Sequence, residues 1–467
     1  MAKSTPDNSP TGIEARKAAG KKLRKKAPRS RHGDWKPATD RPDPVSLLQA
    51  QDTGRLQYLL PIKYGRMMVS PFTFLRGSAV VMASDLAGTQ VTGLRVVLCG
   101  DAHLSNFGIF ATPERDVVFD VNDFDETHPG PWEWDLKRLA ASAVVAGRSN
   151  GFDDKTCKQL AAVVAKSYRE SMARFAEMSI LDGWYFHVDV AAVQALFDKY
   201  AKKSAKTTRK TVKKARSHTG AHALDKMTEV VNGKRQFINT PPLVVRLSEL
   251  LTDEQKQAAH EQNAGEKAWA EYKKSVPEER RRLLERYHVT DAALRVGGVG
   301  SVGTRCTVTL LQGDRPEDNL ILQQKEADHS SLAAYLPKHH YASQAERVVI
   351  GQRLMQASSD IFLGRHHGEQ GAQFYWRQFK DMKGSFDVSL FDAKGVAAYL
   401  AVCGVCLARA HARAGDPIAI SGYLGSSDTF DKAISKFAIA YADQTEKDHQ
   451  ALLDAIKDGK VVAEPDV

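Results

Sequence analysis

The 467-residue sequence has little cysteine and lacks the long apolar segments typical of membrane proteins. Its five cysteines form an odd set at irregular spacing, which predicts no disulfide framework. No apolar run approaches the roughly 18 residues of a membrane span, and the basic N-terminus lacks the apolar region of a secretory signal. We therefore expect a cytoplasmic protein without a membrane span.

Positive charge is present but uneven. The formal net charge is +10, and dense basic runs lie at residues 15–36 and 202–216. Such runs contact nucleic acid or anionic lipid through non-specific electrostatics, but neither run has the interleaved aromatic residues that stack on bases. We interpret both as solvated segments, and nucleic-acid contact is expected only through them. Cys403 and Cys406 have C-x-x-C spacing without a second pair, so a buried helical face is favoured over a metal site.

The most informative stretch, residues 98–139, carries several carboxylates around two short apolar runs. Its pattern predicts a strand and then a hairpin around a polar turn, at Arg95–Leu98, Phe107–Phe110 and Val117–Val121. The hairpin would return Asp123 to the neighbourhood of Asp101 and Asn106. Carboxylate and amide oxygens converging there are hard ligands, suited to Mg²⁺ carrying phosphate.

The motif GDAHLSN followed by VNDFDE resembles the catalytic-loop and metal-loop pair of the aminoglycoside-phosphotransferase branch of the protein-kinase-like superfamily. The resemblance implies that Asp101 is the catalytic base and that Asn106 and Asp123 bind Mg²⁺. His103 matches the second histidine of that loop, whereas Cys99 stands where those enzymes usually have the first. The whole stretch also resembles a large bacterial family of uncharacterised proteins.

Two further acidic residues follow from the same comparison. Asp125 is a candidate third metal ligand, although Asp120 and Asp125 could each instead cap a turn or face solvent. The segment GPWEWDL resembles the one that follows the metal loop in those enzymes, where a buried carboxylate, here Asp135, braces the catalytic loop.

A second informative stretch begins near residue 291, where two β-rich runs flank a glycine-rich loop with Gly297, Gly298, Gly300 and Gly303. Glycine lets backbone N–H groups approach an anion closely, although hairpins use the same residues. A strand carrying Lys325 and a helix beginning near Glu346 follow. This is the order of the protein-kinase ATP lobe, which implies that Lys325 holds the nucleotide phosphates and that Glu346 orients Lys325 by an ion pair. The segment FYWRQFKDMKG would then be the hinge that contacts adenine.

In ordinary kinases these nucleotide-binding elements precede the catalytic and metal loops, whereas here they follow. We therefore predict an α+β, two-lobed protein-kinase-like fold that is circularly permuted, with a small antiparallel sheet lobe and a larger helical lobe. The helix at residues 396–414 would join the lobes, and its end would lie beside the catalytic loop. The predicted domains are a disordered basic tail (1–45), a helical catalytic lobe (46–288), a β-rich nucleotide-binding lobe (289–390) and C-terminal helices that complete the helical lobe (391–467).

The predicted function is phosphate transfer from ATP, with Mg²⁺, to a hydroxyl of an unidentified small molecule or protein. Three alternatives stay open: a nucleotide-binding pseudokinase, a transferase of AMP, and a metal-dependent phosphoesterase built on the acidic cluster and His103. The phosphoesterase alternative leaves the glycine loop and Lys325 unexplained.

Overall fold

A computed structural model describes residues 12–256, 264–368 and 371–465, and it combines long helices with small antiparallel sheets. This mixture confirms the predicted α+β class. The helices before the large sheet are α1 (Ile13–Lys22), α2 (Pro44–Gln51), α3 (Leu60–Met67), α4 (Pro71–Gly77), α5 (Ala79–Ala87), α6 (Glu133–Ser149), α7 (Asp154–Glu177), α8 (Ile180–Tyr185), α9 (Val190–Tyr200), α10 (Lys202–Ser217), α11 (Gly220–Met227) and α12 (Leu247–Leu250). The later helices are α13 (Ala264–Ser275), α14 (Glu278–Leu284), α15 (Gln344–Met355), α16 (Ala393–Ala414), α17 (Pro417–Leu424) and α18 (Thr429–Lys457).

The strands form one large and three small sheets. They are β1 (Arg95–Leu98), β2 (Phe107–Ala111), β3 (Val117–Val121), β4 (His128–Pro131), β5 (Val188–Asp189), β6 (Thr228–Val231), β7 (Lys234–Phe237), β8 (Val244–Arg246), β9 (His288–Arg295), β10 (Cys306–Gln312), β11 (Asn319–Glu326), β12 (Gly364–His367) and β13 (Gln373–Gln378). The large sheet has the antiparallel order β12-β13-β11-β10-β9-β8, and the predicted hairpin forms as β2 and β3.

A helical core supports the hairpin. Helix α7 packs between α6, α16 and α18, and Trp132 stacks on Tyr168 with ring centroids 5.5 Å apart. Helix α6 is buried along almost its whole length, because apolar residues occupy most of its faces. Although no membrane span was expected from the sequence, α16 is long and apolar enough to cross a membrane, but 78% of its apolar window is buried inside the protein.

The large sheet recruits residues from before the predicted lobe boundary. Strand β8 pairs with β9, and Tyr272 of α13 stacks on Trp376 at a centroid distance of 4.7 Å. The sheet region therefore begins near residue 244, whereas the predicted nucleotide-binding lobe begins at residue 289. The sequence interpretation missed this because the helices between β8 and β9 are strongly charged, while their few aromatic residues pack on the sheet.

The N-terminal segment also differs from its prediction. Residues 1–11 of the predicted disordered tail lie outside the described residues, but residues 12–45 are folded against the C-terminal helices. Arg16 forms two hydrogen bonds with Asp416, at 2.9 and 2.7 Å, and the Trp35 ring lies 4.9 Å from that of Tyr441. Gly20 permits close helix packing, because a Cβ atom there would lie 2.0 Å from the Ala419 carbonyl oxygen. Low hydrophobicity suggested disorder, but the basic residues have partners that are distant in sequence.

Candidate active site

The loop after β1 is held by one buried carboxylate. Asp135 Oδ2 accepts a hydrogen bond from the backbone N–H of Cys99 at 2.7 Å, and Oδ1 accepts one from Gly100 at 2.9 Å. His411, at the end of α16, contacts the same carboxylate at 3.1 Å through Nε2. Asp135 therefore braces the loop as predicted, and the end of α16 lies beside that loop, also as predicted.

Gly100 allows the loop to turn away from β1. Its φ angle is +83°, and a Cβ atom there would lie 2.1 Å from the Glu126 carbonyl oxygen. Only glycine satisfies both conditions, because the left-handed conformation and the close backbone approach each disfavour a side chain. The turn brings Asp101 into a cleft that His103, Asn106 and Asp123 also line.

Asp101 is paired with a buried arginine that the sequence interpretation did not identify. Arg138 Nε donates to Asp101 Oδ1 at 2.5 Å, while its Nη2 donates to the Leu75 carbonyl at 2.7 Å. Burial raises the pKa of Asp101, and Arg138 opposes that rise. Arg138 follows Asp135 by three residues on α6, so helical spacing could have placed both side chains toward the loop.

His103 is buried beside Asp101. Its Nδ1 accepts a hydrogen bond from the Ser105 N–H at 3.2 Å, and its Nε2 lies 3.6 Å from Asp101 Oδ2. Burial, with the nearby Arg76 and Arg138 charges, holds the pKa of His103 well below its ordinary value. The imidazole is therefore neutral near pH 7 and orients the loop rather than carrying charge.

Asn106 presents an oxygen that is free for a ligand. Its amide Nδ2 donates to the Asp101 carbonyl at 2.6 Å, and among the described residues Oδ1 accepts no hydrogen bond. Asp123 lies across the same cleft with 38% of its side chain exposed. One carboxylate and one amide oxygen fit Mg²⁺, which usually keeps several waters and binds phosphates in addition to one or two protein ligands.

The described parts of the chain contain no group of three or more His, Cys, Asp or Glu side chains arranged to hold a metal ion. A closed, all-protein metal centre is therefore not formed by these residues. The acidic cluster fits a cation that is bound together with phosphate, not one held by the protein alone.

Lys325 reaches the metal-loop residues from the large sheet. Its Nζ lies 3.9 Å from Asp123 Oδ1 and forms a short hydrogen bond with Asp125 Oδ2. Tyr375 OH donates to the other oxygen of Asp125 at 2.5 Å. Although burial disfavours the ammonium ion, Asp123 and Asp125 outweigh it and raise the pKa of Lys325. Residues about 200 positions apart thus form one ionic cluster.

Asp125 is engaged differently from its predicted role. Both of its oxygens accept hydrogen bonds, from Lys325 and Tyr375, so the carboxylate is engaged by protein donors and not left to solvent, although 28% of the side chain is exposed. Burial favours the neutral acid, but Lys325 lowers the pKa of Asp125. Its assignment as a metal ligand stays a prediction. Asp120 is likewise not solvent-facing, because it is buried and paired with Arg409 at 2.7 Å.

The predicted ion pair between Glu346 and Lys325 is not formed. Glu346 Oε1 accepts from Arg365 at 2.8 Å, and Oε2 accepts from the Ala342 N–H at 2.7 Å. Asp125 and Tyr375 take the place of Glu346 beside Lys325. The physical reason is that Glu346 lies in the first turn of α15, where it turns back to the residues that precede the helix.

The neighbour of Glu346 makes the contact that α15 contributes. Arg347 donates from Nη1 to the Asp125 and Thr127 carbonyls and from Nη2 to the Asp328 carbonyl at 2.8 Å. It is fully buried and fixes the backbone of the metal loop to the sheet side of the cleft. The sequence carries no signal that distinguishes Arg347 from other helix arginines, and this residue was missed.

The glycine-rich loop faces the loop that carries Asp101 and Asn106. Gly298 and Gly300 line the same cleft as Asp101 and Asn106. The volume of this cleft is about 130 Å³. Gly298 and Gly303 have φ angles of +72° and +92°, so these two positions require glycine. Gly297 and Gly303 belong to the same loop but do not line the cleft. Arg76 also lines the cleft, and its buried Nε atom has no hydrogen-bond partner among the described residues.

One expectation elsewhere in the chain is confirmed. Cys403 and Cys406 are buried within α16, as a helical apolar face requires.

These features define a mixed α+β protein in which a six-stranded antiparallel sheet packs beside an acidic loop-and-hairpin site on a helical body. The chain belongs to DUF2252, a family of uncharacterised proteins conserved in bacteria, whose family model matches residues 55–455. The predicted relationship to an uncharacterised bacterial family is thereby confirmed. No curated protein and no solved structure matches the chain.

Proposed function

We propose that this protein is an ATP- and Mg²⁺-dependent phosphotransferase of the protein-kinase-like type, with its two lobes in permuted chain order. The observation that carries the proposal is the contact of Lys325 with Asp123 and Asp125. The glycine loop and the two loops bearing Asp and Asn line one cleft, and the strand lysine contacts two carboxylates of that cleft. Phosphoryl transfer uses this combination.

Each chemical role falls to a residue of that cleft. Asn106 Oδ1 and Asp123 would hold Mg²⁺, which supplies charge stabilisation to the transferring phosphate. The glycine loop would cover the phosphates with its backbone N–H groups, and Lys325 and Arg76 would offset their charge. Asp125 and Tyr375 keep Lys325 in position, the role that the resemblance gave to Glu346.

Asp101 would act on the acceptor. Arg138 fixes one of its oxygens, and the other remains available to the acceptor hydroxyl. The hydroxyl oxygen would form a bond to the γ-phosphorus, the bond to the leaving ADP oxygen would break, and the hydroxyl proton would pass to Asp101. Positioning and electrostatics supply most of the rate acceleration in this chemistry.

One second candidate has a specific observation in its favour. Two half-buried cations, Arg377 and Lys383, line a second cavity beside the metal loop, where they would offset the charge of an inverted triphosphate. In that orientation the acceptor oxygen would attack the α-phosphorus, pyrophosphate would leave, and AMP would be transferred. A pseudokinase would bind the nucleotide without either transfer.

ATP labelled at the α- or γ-phosphate tests the proposal. We expect the full chain with Mg²⁺ to release ADP, with the γ-label transferred to acceptor or water, and Asp101→Asn to lower the rate at least about 100-fold. Asp116→Ala, at an exposed residue in the turn between β2 and β3, is the matched control, and its rate of ATP turnover should equal that of the wild type. Release of pyrophosphate would instead establish AMP transfer, and hydrolysis of a phosphoester without ATP would establish the phosphoesterase.

A further inference from the structure

A second cavity of about 240 Å³ lies next to the metal loop but outside the active-site cleft. It is bounded by the β2–β3 hairpin, by α15 and by the segment that follows β13. Asn122 lines this cavity, whereas the next residue, Asp123, lines the active-site cleft. The two spaces share no lining residue and are separated by the metal-loop backbone.

The cavity wall carries an excess of positive charge. Its cationic residues are Arg115, Arg377, Lys380 and Lys383, and its carboxylates are Asp360 and Asp381. Both carboxylates are already engaged. Asp381 pairs with Arg115 at the exposed rim, and Asp360 accepts backbone N–H bonds from Phe362 at 2.8 Å and Gln378 at 2.5 Å.

Lys383 has no partner for its charge. Among the described residues its ammonium forms no hydrogen bond and no ion pair within 4 Å. Burial, together with the nearby Arg377 charge, lowers the pKa of Lys383 to about 7, although Asp123 and Asp360 oppose this effect. Because burial is the largest cause of this lowering, an anion bound beside Lys383 would favour its ammonium form.

Arg377 points its guanidinium at the same space with few contacts. Its Nε donates to Gln323 Oε1 at 3.0 Å, and its Nη1 lies 3.5 Å from the Asn122 carbonyl, at the limit of a hydrogen bond. No carboxylate lies within 4 Å of this guanidinium among the described residues, so most of its five donors are available. A planar guanidinium beside a compact ammonium fits the several oxygens and the double charge of a phosphate group.

We propose that this cavity is a binding site for a phosphate-bearing ligand, held by Arg377 and Lys383. The phosphate belongs either to the tail of a nucleotide whose other end reaches the active-site cleft or to a separate phosphorylated molecule. The inference stands on the residues of the cavity and does not rest on the proposed phosphotransferase activity.

Inorganic pyrophosphate is the probe that tests the site. Calorimetric titration of the full chain in EDTA, which removes Mg²⁺, should show saturable binding, and Lys383→Met should weaken it at least tenfold. Lys383→Arg should retain binding, and Lys394→Met, at an exposed lysine on α16, is the matched control. Because Lys383 has no partner to lose, its replacement should leave the thermal unfolding temperature unchanged. Absent binding in the wild type, or equal binding by Lys383→Met, would overturn the proposal.

Competition then identifies the source of the phosphate. If ATP displaces pyrophosphate and adenosine does not, the site receives the phosphates of the nucleotide. If ATP and pyrophosphate bind to the protein at the same time, the site receives a separate ligand. The phosphate site in this cavity and the phosphotransferase activity can be disproved independently of each other. Pyrophosphate binding that depends on Lys383, in a protein that never binds Mg²⁺–ATP, would remove the phosphotransferase and leave this site standing.

Discussion

Lys325 on the large sheet and Asp125 in the metal loop lie 200 positions apart in the chain, and their side chains form a partly buried, hydrogen-bonded ion pair. Lys325 also lies 3.9 Å from Asp123. This contact joins the two stretches of sequence that carry recognisable chemistry. Two questions follow from this contact: what holds the two stretches together, and whether they act as one site.

Asp135 is expected to control both stability and turnover. Asp135→Asn replaces one acceptor oxygen by an amide, so at least one of its donors, from Cys99, Gly100 or His411, loses its partner. We expect a loss of about 1–3 kcal/mol in the free energy of unfolding, measured by urea denaturation. We also expect turnover to fall at least tenfold, because the catalytic loop loses its brace. Asp116→Asn is the control, and an unchanged Asp135→Asn protein would show that the brace is unimportant.

The buried pair of Asp120 and Arg409 should show strong energetic coupling. The guanidinium donates to both carboxylate oxygens, at 2.8 and 2.7 Å, and neither residue is accessible to solvent. Arg409→Met alone should destabilise the protein by about 3–5 kcal/mol, because it leaves an uncompensated buried charge. The double variant Asp120→Leu/Arg409→Met should recover part of that loss. Additive effects of the two changes in a double-mutant cycle would contradict this expectation.

Acidification should destabilise the packing of the N-terminal segment through His32. Burial, with the Lys137 charge, lowers the pKa of His32 to about 3, and its Nε2 contacts Tyr423 OH at 2.7 Å. The unfolded chain binds a proton near the ordinary histidine pKa of about 6.5, whereas the folded protein does not. The stabilisation is therefore complete above that pH and decreases as pH falls from about 6.5 toward 3.

Urea denaturation at pH 7.0, 5.5 and 4.5 measures this effect. His32→Gln should lose less stability on acidification than the wild type, because it lacks the proton uptake on unfolding. His288→Gln, at an exposed position, should behave like the wild type. Parallel losses in all three proteins would exclude His32 as a contributor.

The thiols should be unreactive in the native protein. All five cysteines are free and buried, and burial is the largest cause of the raised pKa of each. Since the thiolate is the reactive form, we expect no rapid reaction with an aromatic disulfide reagent at pH 8. In guanidinium chloride all five thiols should react. Fast labelling of Cys99 in the native state would mean that the catalytic loop opens readily.

The sequence predicted the local elements of the site well. The hairpin and the strand that carries Lys325 follow from short motifs whose residues are close in the chain, whereas the bracing role of Asp135 is what the resemblance implied. The contact between Lys325 and Asp123 was also expected, because the resemblance supplies an order of elements that short-range patterns cannot.

Contacts that depend on side-chain direction could not be predicted. Glu346 and Arg347 are adjacent on one helix, but Glu346 turns back to the residues before α15 while Arg347 reaches the metal loop. The N-terminal segment was misjudged for a related reason. In the sequence alone, its arginines are typical of a solvated tail. In the structure they bind backbone carbonyls near the C-terminus: Arg24 donates to the Tyr423 carbonyl and Arg29 to the Leu424 carbonyl.

Calorimetric titration of Mg²⁺–ATP into the wild type, Lys325→Met and Asp123→Ala tests whether the large sheet and the metal loop bind one nucleotide. We expect Mg²⁺-dependent binding in the wild type and a loss of at least tenfold in affinity in both variants, with Lys394→Met as the control. Weakening in both would unite the sheet and the metal loop in one nucleotide cleft. Absence of ATP binding in the wild type, or binding that neither variant alters, would contradict the account.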